Sequence, residues 1–438
     1  MSKAESQGEA VTLKTPNGHW WILFVLTLVY GLNVVDRYLL GILLPEIKAE
    51  MVLPDWSLGL LTGFAFALFY ATLGLPIARL ADKRPRKNII AACLGLFSFA
   101  TAACGLATNL IGLFFARAAV GIGEAGTGPA SYSIISDLFS KTKRSTAMAI
   151  YAVGGNLGIL IGFALGGYLA AQYSWRIAFF AIGLPGLLVA VLAFLTIKEP
   201  ARGMSDGLKN SAHQDDNYID TLKFLFAQRS YVWIVVGTIL VQFLGTAVIN
   251  WLPSMLDRTH GLPLDEVGLK LGLAIAIVGS VGTLLLGGLL ADWLSRRDMR
   301  WSLWILVIGE LLLIPGYALV LLAPTGDLAI AAFIFPALLA TFFIGPVLSL
   351  SQTLAPPHMR ATSGAVLMFL ISLIGAGFGP VAIGLLSDLL RPAYGEDSLR
   401  AALWLAPCAA VLAAAAYALA TRTLVSDISR AENFGLDS

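Results

Sequence analysis

Residues 78–87 read ARLADKRPRK, and residues 288–297 read GLLADWLSRR. Both stretches contain Ala-Asp followed by a pair of basic residues, and each ends the second long apolar run of its half of the chain. A second match lies further along, because Arg144-Ser-Thr-Ala and Arg360-Ala-Thr-Ser each open the fifth apolar run of a half. Repeated motifs at this separation predict a duplicated architecture, in which the second half of the chain repeats the first.

The apolar runs themselves set the class of protein. The chain has 438 residues, of which 58% are hydrophobic and 13% are charged. A helix needs roughly 20 apolar residues to cross a hydrocarbon core ~30 Å thick, and runs without strict alternation exclude a β-barrel. The sequence therefore predicts an all-α integral membrane protein with twelve transmembrane helices in two pseudo-symmetric six-helix halves. The predicted spans cover residues 20–47, 57–81, 88–108, 110–138, 145–172, 174–197, 230–257, 265–293, 301–323, 327–353, 360–391 and 398–422.

A polar stretch divides these spans six and six. We expect a first half at residues 1–197, a cytoplasmic linker at residues 198–229, and a second half with a short cytoplasmic tail at residues 230–438. Within the linker, the segment DTLKFLF at residues 220–226 is typical either of a short amphipathic helix on the membrane surface or of a solvated connection.

The distribution of charge predicts the orientation of the chain. The net charge of +2 is too small to indicate a nucleic-acid partner. Most of the 29 lysines and arginines lie in the termini and in the loops that follow even-numbered spans. Because basic loops remain on the cytoplasmic side, we expect both termini in the cytoplasm and a multi-pass protein of the cell inner (plasma) membrane.

Several classes of function lack their signature in this sequence. Cys93, Cys104 and Cys408 all lie within apolar runs, where we expect small apolar residues rather than a disulfide or a metal site. The sequence contains no Gly-x4-Gly-Lys-Ser/Thr loop of an ATP-driven pump, and no histidine-rich cluster or activated nucleophile of an enzyme. Duplicated six-span halves instead indicate a secondary transporter without cofactor or metal, whose substrate site lies between the halves near the membrane midplane.

Five charged residues lie deep inside the predicted spans, and the sequence offers no role for one of them, Glu310 in the ninth span. Asp36 and Arg37 belong to the stretch NVVDRY at residues 33–38, and Arg117 and Glu124 lie in the fourth span. A charge in a membrane span costs about 2.5–3.5 kcal/mol, so each of these side chains is expected to face a cavity or a partner. Successive residues of a helix point about 100° apart, which separates Asp36 from Arg37. The same geometry places Arg117 and Glu124 on one face and Asp36 near the depth of Arg117.

Two interpretations of these charges remain open. Asp36 and Arg117 form a permanent buried ion pair that fixes the first span against the fourth, or Arg117 with Arg37 attracts an anionic head group. In the second case, loss of the arginine favours protonation of the carboxylate that it leaves. The proton carrier is then Asp36 or Glu124, and Asp36 is preferred for its proximity to Arg117. The corresponding positions of the second half are uncharged, which favours a function over a scaffold role. The predicted substrate-binding residues are Arg37, Arg117, Glu124, Asn33, Tyr132 and Gln242.

The duplicated loops also have a mechanical interpretation. Asp82 lies among positive charges at the cytoplasmic end of the second span, and Asp292 occupies the matching position of the second half. An acid at both places favours a conformational latch, which holds a neighbouring helix end in one state and releases it in the other. Basic residues alone would indicate only the topology. The predicted latch residues are Asp82, Arg86, Asp292, Arg296 and Arg144.

Two ladders of glycine lie in the fifth and eleventh spans. Glycines four residues apart share one helix face and allow two backbones to approach closely. We therefore expect helix packing there, in preference to a surface that contacts a ligand. The ladders are Gly158, Gly162 and Gly166 in the first half and Gly375, Gly379 and Gly384 in the second.

These motifs resemble those of the major facilitator superfamily. The stretch at residues 78–87 is similar to the Gly, Asp-Arg, Gly and basic pattern of that family, with Ala78 and Pro85 where glycines are usual. The fourth span reads RAAVGIGEAGTGP and is similar to the family's Arg-x3-Gly-x-Gly pattern. NVVDRY, GIGEAG followed by ISDLF, and WRIAFFAIGLPGLL before KEPARG resemble the spinster branch in its bacterial form.

The resemblance implies a function as well as a fold. It implies a secondary active, proton-coupled or facilitative carrier of an amphipathic anionic lipid, such as a lysophospholipid or sphingosine-1-phosphate, that works by alternating access. Its partners would be the substrate, protons and membrane lipids, and we expect a monomer. An organic-anion branch of the same superfamily also carries an Asp-Arg pair in its first span and an Arg followed by Glu in its fourth. The second candidate is therefore a proton-coupled transporter of small organic anions such as sugar acids.

Overall fold

The structure, a computed structural model, describes residues 18–201, 218–356 and 359–433. Twelve of its helices are long and apolar enough to cross a membrane, which confirms the predicted all-α fold. We number them α1 to α12 in chain order. Their bounds are α1 His19–Met51, α2 Asp55–Ala81, α3 Arg86–Cys104, α4 Leu110–Leu138, α5 Thr146–Gln172, α6 Trp175–Thr196, α7 Arg229–His260, α8 Leu264–Ser295, α9 Trp301–Leu322, α10 Gly326–Thr353, α11 Thr362–Ala402 and α12 Leu405–Glu432.

Consecutive helices run in opposite directions, because short connections join most of them. We call the side at which α1 begins and α12 ends the terminal face, and the opposite side the distal face. Helices α4, α6 and α10 begin at the distal face, where the side chains of Asn109, Ser174 and Thr325 accept hydrogen bonds from first-turn backbone N–H groups. Helix α2 also begins there, but Pro54 before it offers no side-chain cap. Its first N–H groups therefore need an acceptor from another element.

The predicted end of the eleventh span at residue 391 and the predicted limits of the twelfth span, 398–422, are wrong. Helix α11 continues through a 3-10 turn at Gly395–Asp397 and ends at Ala402, and α12 ends at Glu432. The tract RPAYGEDSLR is polar, so hydropathy ends the eleventh span there although the backbone remains largely helical.

The linker contains a short helix at Tyr218–Phe226. Phe224 and Leu225 of this helix are buried, and the ring of Phe226 packs edge-on against Tyr231 at the start of α7. The helical interpretation of DTLKFLF is confirmed. Residues 202–217 of the predicted linker lie outside the described part of the chain.

The glycine ladder of α5 packs directly on α1. A Cβ added at Gly158 would lie 2.5 Å from the carbonyl oxygen of Gly31, and one at Gly162 would lie 2.6 Å from that of Val35. In the second half, a Cβ at Gly379 would lie 2.2 Å from the carbonyl oxygen of Phe243 in α7. These distances confirm that the ladders serve close helix packing.

A stability prediction follows from this contact. Gly158→Ala is expected to destabilise the protein by about 1–3 kcal/mol, because the new methyl group must push α1 and α5 apart. Gly245→Ala is the matched control, since a Cβ there meets no atom within 4 Å. The control should be neutral or stabilising by up to about 1 kcal/mol, because alanine favours the helix over glycine. Thermal unfolding of the purified variants measures both effects, and equal unfolding midpoints would contradict the packing argument.

The two six-helix halves meet near the distal face. There α2 contacts α11, where a Cβ at Gly59 would lie 2.3 Å from the carbonyl oxygen of Pro380, and α5 contacts α8, where one at Gly268 would lie 2.2 Å from that of Phe163. The halves are therefore closed against each other at this face. Helices α2, α8 and α11 also contain π-helical turns, which interrupt the regular α-helical hydrogen bonding. The turns are Leu60–Phe64, Ala274–Gly279, Thr283–Leu290 and Ile371–Ala376.

Candidate functional site

Asp36 lies midway along α1 and is buried against α3 and α4. Nη1 of Arg117 donates a hydrogen bond to Oδ2 of Asp36 over 2.5 Å, and the hydroxyl of Thr101 donates to Oδ1 over 2.9 Å. The exposed fraction is 0% for Asp36 and 1% for Arg117. The predicted proximity of Asp36 and Arg117 is confirmed. With Thr101, the pair joins α1, α3 and α4 inside the first half.

Arg37 takes a different direction, as the helical geometry of neighbouring residues predicts. Its guanidinium forms an ion pair with Glu124 of α4. The side chain of Arg37 remains 40% exposed, whereas that of Glu124 is 5% exposed. Asp36, Arg37, Arg117 and Glu124 therefore form two separate ion pairs. The Asp36–Arg117 pair is closed off, and the Arg37–Glu124 pair is accessible from the side of Arg37.

Aromatic rings surround the accessible pair. The guanidinium carbon of Arg37 lies 4.9 Å from the ring centre of Phe66 and 5.1 Å from that of Tyr70, both in α2. A cation above an aromatic face is attracted to the ring's quadrupole. Arg37 is thus held between a carboxylate and two rings while part of it stays open to a ligand. We call Arg37, Glu124, Phe66 and Tyr70 the Arg37 site.

The two acids differ in how their oxygens are used. Both oxygens of Asp36 accept hydrogen bonds. One oxygen of Glu124 faces Arg37, and the other, Oε2, is buried without a hydrogen-bond partner among the described residues. Glu124 therefore has an oxygen that can take a proton without displacing an existing donor.

The other predicted binding residues are divided between the halves. Asn33 is buried one turn before Arg37 and donates to the hydroxyl of Thr127 over 2.6 Å, beside the break in α4 at Gly126. Tyr132 is exposed over about half of its surface. Its ring packs edge-on against Tyr151, which stacks on Tyr30.

Gln242 is separate from this group. It lies in α7 of the second half and donates to Thr246 of its own helix over 2.9 Å. The structure therefore brings Asn33 and Tyr132 to the same half as the Arg37 site, and it leaves Gln242 in the other half.

The predicted latch residues lie at the terminal face. Arg86 is buried and donates to the carboxylates of Asp137 over 2.5 Å and Glu199 over 2.8 Å, which ties α3 to the end of α4 and to the start of the linker. Arg144 donates to the carbonyl oxygen of Ser136 over 2.9 Å. These contacts lie within the first half and the start of the linker.

The remaining latch residues differ between the halves. Asp292 and Arg296 lie at the end of α8, and both are exposed. The side chain of Asp82, at the matching end of the first half, lies outside the described part of the chain.

Sequence reasoning missed several partners of these charges. Phe66 and Tyr70 are four residues apart in the run FAFALFY, so they share a helix face, and this spacing was the available signal. Thr101 is one of several polar residues in α3 and carries no distinguishing pattern. Asp137 and Glu199 lie in the quoted stretches ISDLF and KEPARG, but their pairing with Arg86 depends on tertiary structure.

Comparison with known proteins agrees with this architecture. The family model of the Major Facilitator Superfamily matches residues 26–380. A protein described as an MFS-type efflux pump of Mycolicibacterium smegmatis is 32% identical over 414 residues, which cover 94% of this chain and 95% of that protein. The sphingosine-1-phosphate transporter SPNS2 of Mus musculus is 25% identical over 441 residues, with 93% of this chain and 78% of that protein covered.

A solved structure is similar along the whole fold. It is the crystal structure of a bacterial homolog to the human lysosomal transporter spinster, in an inward-facing and unoccupied conformation. It superposes with a TM-score of 0.85 at 30% identity and covers 94% of this chain and 99% of its own. The related proteins are transporters, and none of them is an enzyme. This chain therefore belongs to the Major Facilitator Superfamily, within its spinster branch.

Proposed function

We propose that this transporter moves an amphipathic anionic lipid, such as a lysophospholipid or sphingosine-1-phosphate, by proton-coupled alternating access. The observation that carries the proposal is the Arg37 site, in which an accessible arginine is paired with a buried acid. The relation to SPNS2, a sphingosine-1-phosphate transporter, supports the lipid class.

Arg37 is suited to hold the anionic head group. A guanidinium offers several donors in a fixed plane that match phosphate or carboxylate oxygens. Phe66 and Tyr70 lie against its faces, and Tyr132 adds an exposed ring on the same half. These rings offer apolar surface for the part of a lipid next to its head group.

The same pair couples the substrate to a proton. Glu124 and an anionic head group compete for Arg37, so a proton on Glu124 releases the arginine for the substrate. Conversely, a bound anion that draws Arg37 away leaves Glu124 without its counter-charge and favours its protonation. Substrate affinity is therefore expected to rise as the pH falls, by at most about tenfold per pH unit for one linked proton.

Of the two candidate proton carriers, the geometry favours Glu124 over Asp36. Asp36 is enclosed by Arg117 and Thr101, so a proton on Asp36 would have to replace one of these contacts. The Asp36–Arg117 pair is better suited to fix α1 against α4. Arg117 then supports the site without contacting the substrate.

The orientation is part of the same proposal. The basic loops after the even-numbered helices support a terminal face on the cytoplasmic side, and in a bacterium the membrane is the inner membrane. The Arg86 contacts and the exposed side chains of Asp292 and Arg296 then lie on the cytoplasmic side. We assign them, with Asp82 and Arg144, to a latch that changes partners when that side closes.

Binding to purified protein tests the substrate class. A lysophospholipid and a sugar acid are titrated separately against wild type, Arg37→Ala and Arg176→Ala at pH 5 to 8. Arg176 is the control, because it pairs with Glu50 at the distal face, away from the Arg37 site. We expect lipid binding that strengthens at low pH, is lost in Arg37→Ala and persists in Arg176→Ala. Lipid binding that is unchanged in Arg37→Ala would refute the proposed head-group site.

The second candidate substrate is a small organic anion such as a sugar acid. It is favoured by the 40% exposure of the Arg37 side chain, because an accessible guanidinium pairs with a carboxylate as well as with a phosphate. Binding of the sugar acid alone, lost in Arg37→Ala, would select this candidate and leave the coupling mechanism intact.

A further inference from the structure

Glu310 is a buried acid of the second half that the transport mechanism does not use. It lies in α9, ~13 Å from the start of that helix at the terminal face, and its exposed fraction is 0%. Among the described residues, neither of its carboxyl oxygens has a hydrogen-bond partner. It differs in this respect from Asp36 and Glu124, each of which forms an ion pair with an arginine. A buried polar group without a partner requires an explanation.

Helix α9 is packed tightly between α10 and α12 at this depth. A Cβ added at Gly309 would overlap the ring of Phe342, which lies where α10 breaks. On the side of α12, Glu310 interacts electrostatically with the buried Tyr417. Two turns along its own helix it interacts in the same way with the buried Tyr317. The carboxyl group is therefore enclosed by packed helices.

The hydroxyl group of Tyr417 suits a protonated acid. Thr238 of α7 donates its one hydroxyl proton to the carbonyl oxygen of Ile234 over 2.7 Å. In the 3.1 Å contact between Thr238 and Tyr417, the tyrosine is then the donor. Its oxygen can still accept a hydrogen bond, which a protonated carboxyl group can give and a carboxylate cannot. The surroundings therefore favour the neutral form of Glu310.

No positive charge within the described part of the chain compensates an ionised Glu310. The titratable side chains that face it are Tyr317 and Tyr417. Helix α10 has one titratable residue, Asp327, which lies in its first turn at the distal face. Asp292 of α8 is exposed at the terminal face. An isolated carboxylate in an apolar interior is so costly that the group takes up a proton instead.

We propose that Glu310 is a second proton-binding site of the transporter, which holds its proton as long as α9 stays packed between α10 and α12. When this packing opens to water, the carboxyl group can ionise. Acid conditions therefore favour the packed second half, and alkaline conditions favour its opening, by up to about tenfold per pH unit for one linked proton. The proton stays in place when an anion binds at Arg37, so the proposal is independent of Glu124 and of the substrate.

Infrared difference spectroscopy detects this proton directly, because a protonated carboxyl group has a carbonyl absorption that a carboxylate lacks. Glu310→Gln keeps the shape of the neutral side chain, so the variant is expected to fold. At pH 7, the spectrum of wild type minus Glu310→Gln should show the absorption of a protonated carboxyl group. The spectrum of wild type minus Glu50→Gln should not show it, because Glu50 is half exposed and paired with Arg176.

The pH dependence of unfolding is an independent test. Between pH 5 and 8, the unfolded chain has Glu310 ionised and the packed protein has it protonated, so wild type loses stability through this group as the pH rises. Glu310→Gln removes this linkage. Its unfolding midpoint should exceed that of wild type by a margin that grows with pH, equivalent to up to about tenfold in the unfolding equilibrium constant per pH unit.

Two further variants complete the unfolding experiment. Glu310→Leu replaces the acid with an apolar side chain and should show the same growing margin over wild type as Glu310→Gln. Glu50→Gln is the matched control, and its margin should stay constant across this pH range.

A carboxyl absorption of equal size in wild type and Glu310→Gln would overturn the proposal, because the proton would then belong to another acid. A constant margin between wild type and both Glu310 variants from pH 5 to 8 would also overturn it, because Glu310 would then carry the same charge in the folded and the unfolded protein. Either result leaves the binding of an anion at Arg37 untouched, so the two proposals fail separately.

Discussion

Arg117→Ala is expected to destabilise the protein by about 3–5 kcal/mol, because it leaves the carboxylate of Asp36 buried without its partner. Among the residues that the structure describes, Asp36 has one other hydrogen-bond donor, the hydroxyl of Thr101. For a half of this size, a shift of about 2–4 °C per kcal/mol is expected in the unfolding midpoint. Thermal unfolding of the purified variant should therefore show a midpoint lower by about 6–20 °C.

The double variant Asp36→Asn/Arg117→Met separates a structural role of this pair from a role of Asp36 as the proton carrier. Removal of both charges abolishes the uncompensated carboxylate, so most of the stability should return. If transport by the double variant keeps its pH dependence, Asp36 is not the proton carrier. A double variant that is as unstable as Arg117→Ala would contradict the assignment of this pair as a buried ion pair between α1 and α4.

Glu124→Gln is expected to remove the pH dependence of transport while the protein remains folded. Glutamine keeps the shape of the side chain and can accept a hydrogen bond from Arg37, but it cannot release or take a proton. In wild type, uptake into proteoliposomes at limiting substrate should fall by up to about tenfold for each pH unit above the range in which Glu124 is protonated. In Glu124→Gln, Arg37 is no longer held by a charge, so uptake should stay close to its low-pH level.

Glu50→Gln is the control for this measurement, because Glu50 is an acid of the same half that pairs with an arginine at the distal face. It should keep the wild-type pH profile. A Glu124→Gln variant whose profile follows wild type would exclude Glu124 as the proton carrier, and loss of the profile in Asp36→Asn alone would transfer that role to Asp36.

The sequence predicts the fold more completely than the site. Span length and the repeated Ala-Asp loops are properties of the chain itself, so twelve helices in two halves follow from them. The depth of Asp36 relative to Arg117 follows from the helical rise alone, and the two side chains do meet. The end of α11 could not be predicted, because its polar tract at residues 391–400 stays helical through tertiary contacts.

The side chains that contact the charged residues of the site are determined by the rotation of each helix against its neighbours. The amino-acid composition does not determine this rotation. Arg37 of α1 approaches Phe66 of α2, and this contact depends on where the folded bundle places α2. Arg258 and Asp55 are 203 positions apart and meet only when the two halves close at the distal face. Cross-helix contacts of this kind require the assembled bundle.

The central claim is that substrate and proton compete through one arginine–glutamate pair. The most direct measurement is the number of protons taken up when a lysophospholipid binds, obtained by calorimetry of wild type and Glu124→Gln in buffers of different ionisation enthalpy. The account predicts an uptake approaching one proton per bound lipid in wild type at a pH where Glu124 starts deprotonated, and no uptake in Glu124→Gln, which still binds the lipid. Equal proton uptake by both proteins, or none by wild type at any pH between 5 and 8, would contradict it.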